Sequence, residues 1–192
     1  ATKSYVCQLL ALYVIAKICL GQTPPKSEIS ALVQDVRIAS AQSLYEEKIK
    51  KANLFFIGKG LDFVTAREGA LKFKEITYKM TDAYQSGELK HGTIALIDSK
   101  SVVTVIATNP QDKDRTAASV SELKSRGAYV IALTSIGDVG ASKTFVLPDF
   151  KDELLYPILS VIPLQSLALT TSLCMGLNPD KPRNLAKSVT VI

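Results

Sequence analysis

The chain contains no tryptophan, one histidine and three cysteines. The cysteines show no Cys-x-x-Cys spacing, and one histidine adds little to a ligand set, so we expect no Cys/His metal site. Cys7, Cys19 and Cys174 lie in apolar runs, which predicts buried free thiols in a reducing cytoplasm. We expect neither a metal ion nor a resident cofactor.

Charge of one sign is not concentrated in any run of the sequence. Lys and Arg number 23 against 18 Asp and Glu, which gives a net charge of +5. A basic stripe is the usual footprint of nucleic-acid binding, so no nucleic-acid partner is expected. A phosphorylated small molecule needs only a few cations and remains possible. The hydrophobic fraction of 47% excludes a disordered chain.

A long uncharged stretch covers residues 154–179, and about 20 apolar residues would span a bilayer. Pro157 and Pro163 interrupt it, so we interpret it as a buried helix of an α/β domain. The apolar segment 6–20 is shorter and holds Lys17, which argues against a signal peptide. No membrane contact is expected.

The chain divides at a proline pair that follows its first helical pattern. Pro24 and Pro25 cannot continue the preceding helix, and Ser27 is a suitable N-cap for a second helix reaching about Lys51. The predicted units are the last helix of a preceding domain (1–21), a linker and connecting helix (22–51), a main domain (52–177) and a C-terminal tail (178–192).

Apolar runs alternate with helical patterns through the main domain. This alternation predicts a doubly wound α/β fold with a mostly parallel sheet flanked by helices. Ligands of such sheets are expected at the carboxyl ends of the strands, near Gly60 and Thr108. The predicted strands are 53–57, 102–107, 129–133 and 145–147, and the predicted helices are 62–82, 112–126 and 153–176.

A Gly-Lys-Gly turn follows the first strand. Gly58 and Gly60 form half of a dinucleotide fingerprint, but Phe63 stands where its third glycine is needed. The pattern therefore favours a tight turn between strand and helix over a dinucleotide site.

Four charged residues, Glu68, Lys72, Glu75 and Lys79, are three or four positions apart and share one face of the predicted helix. They form either a solvated stripe or an acid/base carboxylate beside a cation, whose field would tune the carboxyl group.

Two further residues could carry chemistry. His91 lies in a polar loop flanked by glycines, and histidine titrates near neutral pH. Lys187 is either an ordinary tail lysine or, if desolvated, a lysine able to form a Schiff base with a carbonyl substrate.

Three stretches, Glu68–Tyr78, Glu88–Gly92 and Pro182–Val191, together resemble the glutamine–fructose-6-phosphate aminotransferase (glucosamine-6-phosphate synthase) family. The resemblance covers essentially the whole chain and implies its second sugar-isomerase domain, preceded by the last helix of the first. It implies a sugar phosphate substrate and a homodimer. It also implies that the N-terminal glutaminase domain and most of the first isomerase domain, with its phosphate-binding loop, are missing, so that this chain alone would be inactive.

The resemblance also implies roles for individual residues. Glu75 would move a proton between C1 and C2 of the substrate, with Lys72 assisting its charge state. His91 would help to open the sugar ring, reaching into the partner subunit's site. Lys187 would form a Schiff base with the open-chain ketose, which acidifies the C1 proton without a metal.

In the tail, Arg183 would order the chain and the backbone of Ala186 would touch the sugar. Thr93 stands where the family usually has proline, and Ile192 where its last residue is often acidic. These departures leave room for another isomerase or a deglycase of the same fold. A non-catalytic module that binds sugar phosphates is the alternative from a different class.

Overall fold

The computed structural model describes residues 2–24, 26–41 and 43–185. Five parallel strands form one sheet in the order β2-β1-β3-β4-β5. This confirms the predicted doubly wound α/β fold. The strands are β1 Asn53–Gly58, β2 Thr81–Gln85, β3 Ser101–Ala107, β4 Tyr129–Thr134 and β5 Lys143–Val146, and the helices are α1 Thr2–Cys19, α2 Lys26–Ala41, α3 Leu61–Thr77, α4 Lys113–Ser125 and α5 Tyr156–Cys174, with short 3₁₀ helices at Glu47–Lys50, Glu88–His91, Thr93–Leu96, Pro110–Asp112 and Glu153–Leu155.

Both faces of the three central strands β1, β3 and β4 are buried, as is usual for parallel sheets covered by helices on both sides. Successive β1 side chains point to opposite faces. Leu54 and Phe56 join the core shared with α3 and α5, whereas Phe55 and Ile57 join the core shared with α4. The central strand β3 is buried along its whole length.

The sequence does not predict the strand β2, because its polar residues resemble the end of the helix predicted over 62–82. The helix α3 ends at Thr77 and not near Asp82, because Tyr78 takes a left-handed conformation with φ 60° as its C-cap. Non-glycine residues seldom adopt this conformation, and the sequence carries no glycine to signal it. Residues 81–85 then pair with β1 as a half-exposed edge strand.

The second helix is also shorter than predicted. It begins at Lys26, so that Ser27 lies inside it and is not its N-cap, and it ends at Ala41. Residues 43–46 form neither helix nor strand, Glu46 is extended, and the 3₁₀ helix Glu47–Lys50 follows. Leu44 and Ile49 are fully buried in the core beside α3 and α5, which favours this path over a continued helix.

The turn between β1 and α3 is as tight as the two glycines suggested. A Cβ atom on Gly58 would lie 2.4 Å from the backbone carbonyl atoms of Asp62, and Gly60 has φ 56°. A side chain at position 58 is excluded by this contact, and a left-handed φ favours glycine at position 60. The first turn of α3 can therefore approach the end of β1 closely.

Two helices, Thr2–Cys19 and Glu153–Cys174, are long and apolar enough to cross a membrane by length and composition. The second is largely buried and is the core helix that the sequence predicted. The first packs against α5 through Tyr13 and exposes Leu12, Ile15 and Ile18.

The three cysteines are free thiols, as predicted, but they are exposed. Cys7 and Cys19 lie on α1, which buries one residue, and Cys174 ends α5. The prediction that they would be buried was wrong, because an apolar neighbourhood in the sequence does not specify which face of a helix meets the core.

Candidate functional site

The centre of the candidate site is a group of two carboxylates and one ammonium on α3. Lys72 Nζ lies 2.7 Å from Glu75 Oε2 and 3.7 Å from Glu68 Oε1. The three side chains are 12–28% exposed, so this is not the fully solvated stripe that spacing also allowed. Partial burial strengthens the field that the ammonium exerts on both carboxylates.

The position of α3 is fixed by close packing on its other side. A Cβ atom on Gly69 would lie 2.6 Å from Cδ1 of Leu164, so the missing side chain lets α5 approach α3. Phe73 is fully buried one turn further on. Because residues three or four apart share a helix face, this packing leaves the face that carries Glu75 directed away from α5.

The environment of Glu68 favours its protonated form. Burial raises the pKa of Glu68, the neighbouring Glu75 raises it further, and Lys72 opposes both effects. Burial also raises the pKa of Tyr5 on α1, with a smaller contribution from Glu68. Tyr5 of the first helix is therefore close enough to Glu68 for the two groups to interact electrostatically.

A cavity of about 800 Å³ lies beside Glu75, where α3 ends next to the edge strand β2. Its volume falls within the range of small-molecule sites. Its wall is mainly apolar, with polar groups contributed by α3 and by the chain after α5. Lining residues include Phe55, Leu71, Lys74, Glu75, Tyr78, Arg183 and Leu185.

Tyr78 is a site residue whose role the sequence did not indicate. Its hydroxyl accepts a hydrogen bond of 3.0 Å from the backbone N–H of Arg183, and the Arg183 guanidinium carbon lies 4.2 Å from the centre of its ring. The left-handed cap at Tyr78 thus attaches the start of the C-terminal tail to the cavity wall. The predicted role of Arg183 in ordering the tail agrees with this contact and stays a prediction.

Lys79 does not belong to the acidic group, contrary to the prediction from spacing. It lies beyond the end of α3, and its ammonium donates hydrogen bonds to the carbonyl oxygens of Ile49, Lys50 and Ala52 at 2.7–2.9 Å. Burial lowers the pKa of Lys79. Its function is to hold the turn before β1.

His91 is exposed on the 3₁₀ helix after β2 and does not line the cavity that Glu75 lines. Within the described chain it is therefore not brought to Glu75. Lys187 and Ala186 lie outside the described residues. Arg183 and Leu185, which precede them, line the cavity.

The carboxyl ends of the strands, where ligands were expected, are occupied by the chain's own groups. Asp62 accepts hydrogen bonds from the backbone N–H of Thr108 at 2.8 Å and from its hydroxyl at 2.7 Å. Burial raises the pKa of Asp62, partly offset by these hydrogen bonds. The adjoining cavity, about 370 Å³, is lined by Asp62, Asp112 and Glu153 against the single cation Lys59. This acidic lining offers one cation for an anionic ligand, and the expected ligand position near Gly60 and Thr108 stays a prediction.

Among the described residues, no group of three His, Cys, Asp or Glu side chains could hold a metal ion. The geometry instead offers an ammonium-paired carboxylate beside an apolar cavity. Such a pair can exchange protons with a bound substrate.

The fold and this site define the class of protein. Residues 48–175 match the SIS domain, the sugar isomerase domain, over more than half of the chain. The chain therefore belongs to the SIS domain family.

Curated relatives point to one enzyme. The glutamine–fructose-6-phosphate aminotransferase (isomerizing) of Fusobacterium nucleatum is 41% identical over 207 residues, covering 100% of this chain and 34% of that protein. The enzyme of the same name from Symbiobacterium thermophilum is 40% identical over 210 residues, with the same coverage. The chain thus spans about a third of the length of the curated relatives it matches.

Solved structures agree on the fold. The C-terminal domain of glucosamine-fructose-6-phosphate aminotransferase from Francisella tularensis has a TM-score of 0.64 and 28% identity, covering 80% of this chain and 42% of that one. Glucosamine-6-phosphate deaminase from Thermotoga maritima has a TM-score of 0.78 and 26% identity, covering 97% of this chain and 56% of that one.

Proposed function

We propose that this chain is the second sugar-isomerase domain of an enzyme that makes glucosamine 6-phosphate from fructose 6-phosphate and glutamine-derived ammonia. The observation that carries the proposal is the arrangement around Glu75: an ammonium-paired carboxylate on the wall of a cavity that the start of the tail also lines. The names of the curated relatives support the same assignment.

Conversion of a ketose to an aldose requires one base that serves two adjacent carbons. Glu75 acts as this base, and Lys72, 2.7 Å away, donates a charge-assisted hydrogen bond that holds the carboxylate in place. Glu68 shares the ammonium at 3.7 Å. The mainly apolar wall of the cavity offers the sugar carbons a surface beside this base.

Lys187 supplies the amine that forms a Schiff base with the ketose. In the sequence it follows Leu185, a residue of the cavity wall, by two positions. Ammonia displaces the lysine amine from C2, which frees Lys187 and leaves an iminium of ammonia at C2. This iminium withdraws electrons and acidifies the C1 proton, which Glu75 removes and returns to C2. Ala186 contacts the sugar through its backbone.

The complete reaction needs partners that this chain does not supply. His91, exposed and away from the cavity, acts in the site of a second subunit of a homodimer. The apolar face of α1 packs against the first isomerase domain of the same polypeptide, which also binds the substrate phosphate. The chain alone is inactive, and the enzyme works in the cytoplasm.

The role of Glu75 is tested by Glu75→Gln in the full polypeptide that carries this chain. Release of the C1 tritium of labelled fructose 6-phosphate should fall at least about a hundredfold, because a positioned base contributes roughly 10²–10⁴-fold. Binding of the sugar phosphate should be retained. Glu47→Gln is the matched control and should keep full activity, since the carboxylate of Glu47 is exposed and likewise pairs with a lysine three residues away. Unchanged proton release in Glu75→Gln would exclude this residue as the base.

The Schiff base is tested separately by borohydride reduction in the presence of fructose 6-phosphate. The parent enzyme should gain the mass of a reduced sugar adduct at Lys187, and Lys187→Arg should gain none. An adduct that forms equally fast in Lys187→Arg would contradict the assignment.

The solved deaminase resembles this chain as well, so the direction of nitrogen transfer needs its own measurement. The full polypeptide should incorporate ammonia from glutamine into fructose 6-phosphate. Release of ammonia from glucosamine 6-phosphate without glutamine-dependent synthesis would instead support a deaminase or deglycase.

A further inference from the structure

A second concave surface lies at the amino ends of β3 and β4. This amino-end cleft has a volume of about 530 Å³. It shares no lining residue with the cavity beside Glu75. Gly127, with φ 91°, closes one side, because a Cβ atom there would lie 3.2 Å from the Ser99 backbone. The residues that line the amino-end cleft include Lys48, Lys51, Ser99, Lys100, Gly127 and Tyr129.

The amino-end cleft is lined by three cations and no carboxylate. Lys48 and Lys51 come from the turn before β1, and Lys100 comes from the turn before β3. Within the described ranges none of these ammonium groups forms a salt bridge, although Lys48 Nζ lies 3.5 Å from the centre of the Tyr129 ring. Three neighbouring like charges repel each other, and a bound anion would relieve that repulsion.

Lys79, close by, shows what a purely structural lysine does in this fold. Its ammonium donates three hydrogen bonds to the carbonyl oxygens that follow Lys48, and so it holds the turn that carries Lys48 and Lys51. In the described part of the chain, the ammonium groups of the cleft lysines donate to no carbonyl. The three cleft lysines therefore do not hold a turn by donating to its carbonyl oxygens, as Lys79 does.

We propose that the amino-end cleft binds the phosphate group of a small phosphorylated molecule, at a site distinct from the cavity beside Glu75. Its volume lies within the 300–1,000 Å³ typical of small-molecule sites. Lysine binds phosphate as a point charge, and three of them suit a dianion. The Ser99 hydroxyl at the rim can donate a further hydrogen bond.

The test is a titration of the ¹⁵N-labelled chain with pyrophosphate, inorganic phosphate and a hexose phosphate, followed by amide chemical shifts and calorimetry. Pyrophosphate should shift the amides of Ser99, Lys100 and Gly127. The triple variant Lys48→Gln/Lys51→Gln/Lys100→Gln should bind about tenfold more weakly, since each exposed charge contact contributes little and three act together. A matched triple at exposed lysines elsewhere, Lys3→Gln/Lys26→Gln/Lys151→Gln, should bind as the parent does.

Equal weakening in both triple variants would overturn the proposal, because it would indicate attraction by net charge alone. Shifts confined to Tyr78 and Arg183 would also overturn it, since the anion would then occupy the cavity beside Glu75. Tighter binding of the hexose phosphate than of inorganic phosphate, with shifts in the cleft, assigns the site to a phosphate ester. Equal affinities of the hexose phosphate and inorganic phosphate, with shifts in the cleft, assign the site to free phosphate.

Discussion

At the carboxyl ends of the strands, the cavity beside Asp62 is lined by three carboxylates and one ammonium, and the ammonium of Lys59 is 2.5 Å from Asp112. At the amino ends, the cleft is lined by three lysines without a carboxylate. Parallel sheets usually bind ligands at their carboxyl ends. Here Asp62 occupies the Thr108 N–H that a ligand anion would otherwise use.

The carboxyl and amino ends of the strands differ in how their polar groups are paired as well as in charge. At the carboxyl ends Asp62 is hydrogen-bonded to Thr108 and Lys59 is paired with Asp112, and both pairings stabilise the fold. At the amino ends the Lys79 ammonium donates three hydrogen bonds to carbonyl oxygens. Those of Lys48, Lys51 and Lys100 form no salt bridge within the described residues, although Lys48 lies over the Tyr129 ring. Under the proposal above, the ammonium groups of the amino-end cleft are available to bind an anion, in contrast to the paired groups at the carboxyl ends.

The largest effect is expected from Gly58→Ala, which should disrupt the closed carboxyl end. The new Cβ would lie 2.4 Å from Asp62 backbone atoms, and backbone cannot move aside as a side chain can. We expect a loss of about 3 kcal/mol in the free energy of unfolding, measured in urea. Gly60→Ala is the matched control. It meets no atom within 4 Å and should lose less, about 1–2 kcal/mol, from its φ of 56°. Equal losses would contradict the close-approach argument.

At the amino ends, Lys79→Met should be destabilising and Lys100→Met should not. Lys79→Met leaves the carbonyl oxygens of Ile49, Lys50 and Ala52 without their donor, at a cost of about 1–3 kcal/mol. Lys100, exposed and unpaired within the described chain, should change stability by no more than about 0.5 kcal/mol. Urea unfolding of the two variants measures the difference. A comparable loss in Lys100→Met would show that the cleft lysines are structural.

The smallest effect is a pH dependence at the carboxyl ends. Burial raises the pKa of Asp62 above its unfolded value of 3.8, so between these two values the folded chain binds more protons than the unfolded chain. The contribution of Asp62 to stability is therefore fully present below about pH 3.8 and is lost as pH rises through the folded pKa. Relative to Asp62→Asn, the parent should lose stability as pH increases across this window, as measured by urea unfolding. An unchanged difference between the two proteins would contradict the predicted shift.

Much of the candidate site could be predicted because its contacts are local. Glu68, Lys72 and Glu75 meet since three or four residues complete a helical turn, whatever the helix packs against. Lys79 continues the same spacing but lies beyond the left-handed residue Tyr78, where the periodicity no longer applies. The cavity could not be predicted, because it depends on where α3 ends and on the chain that returns after α5.

The sequence by itself determined the alternation of apolar strands and helices, and hence the doubly wound sheet. A strand that is buried on both faces requires a nearly continuous apolar run, which is visible in the sequence. It also determined the tight turn at Gly58 and the pairing of Lys72 with Glu75. The tertiary structure alone brought Lys48 and Lys51 to Lys100, placed Asp62 on Thr108 and laid Arg183 against Tyr78. Those contacts join residues far apart in the chain, and they follow from the register of the strands, which no local pattern encodes.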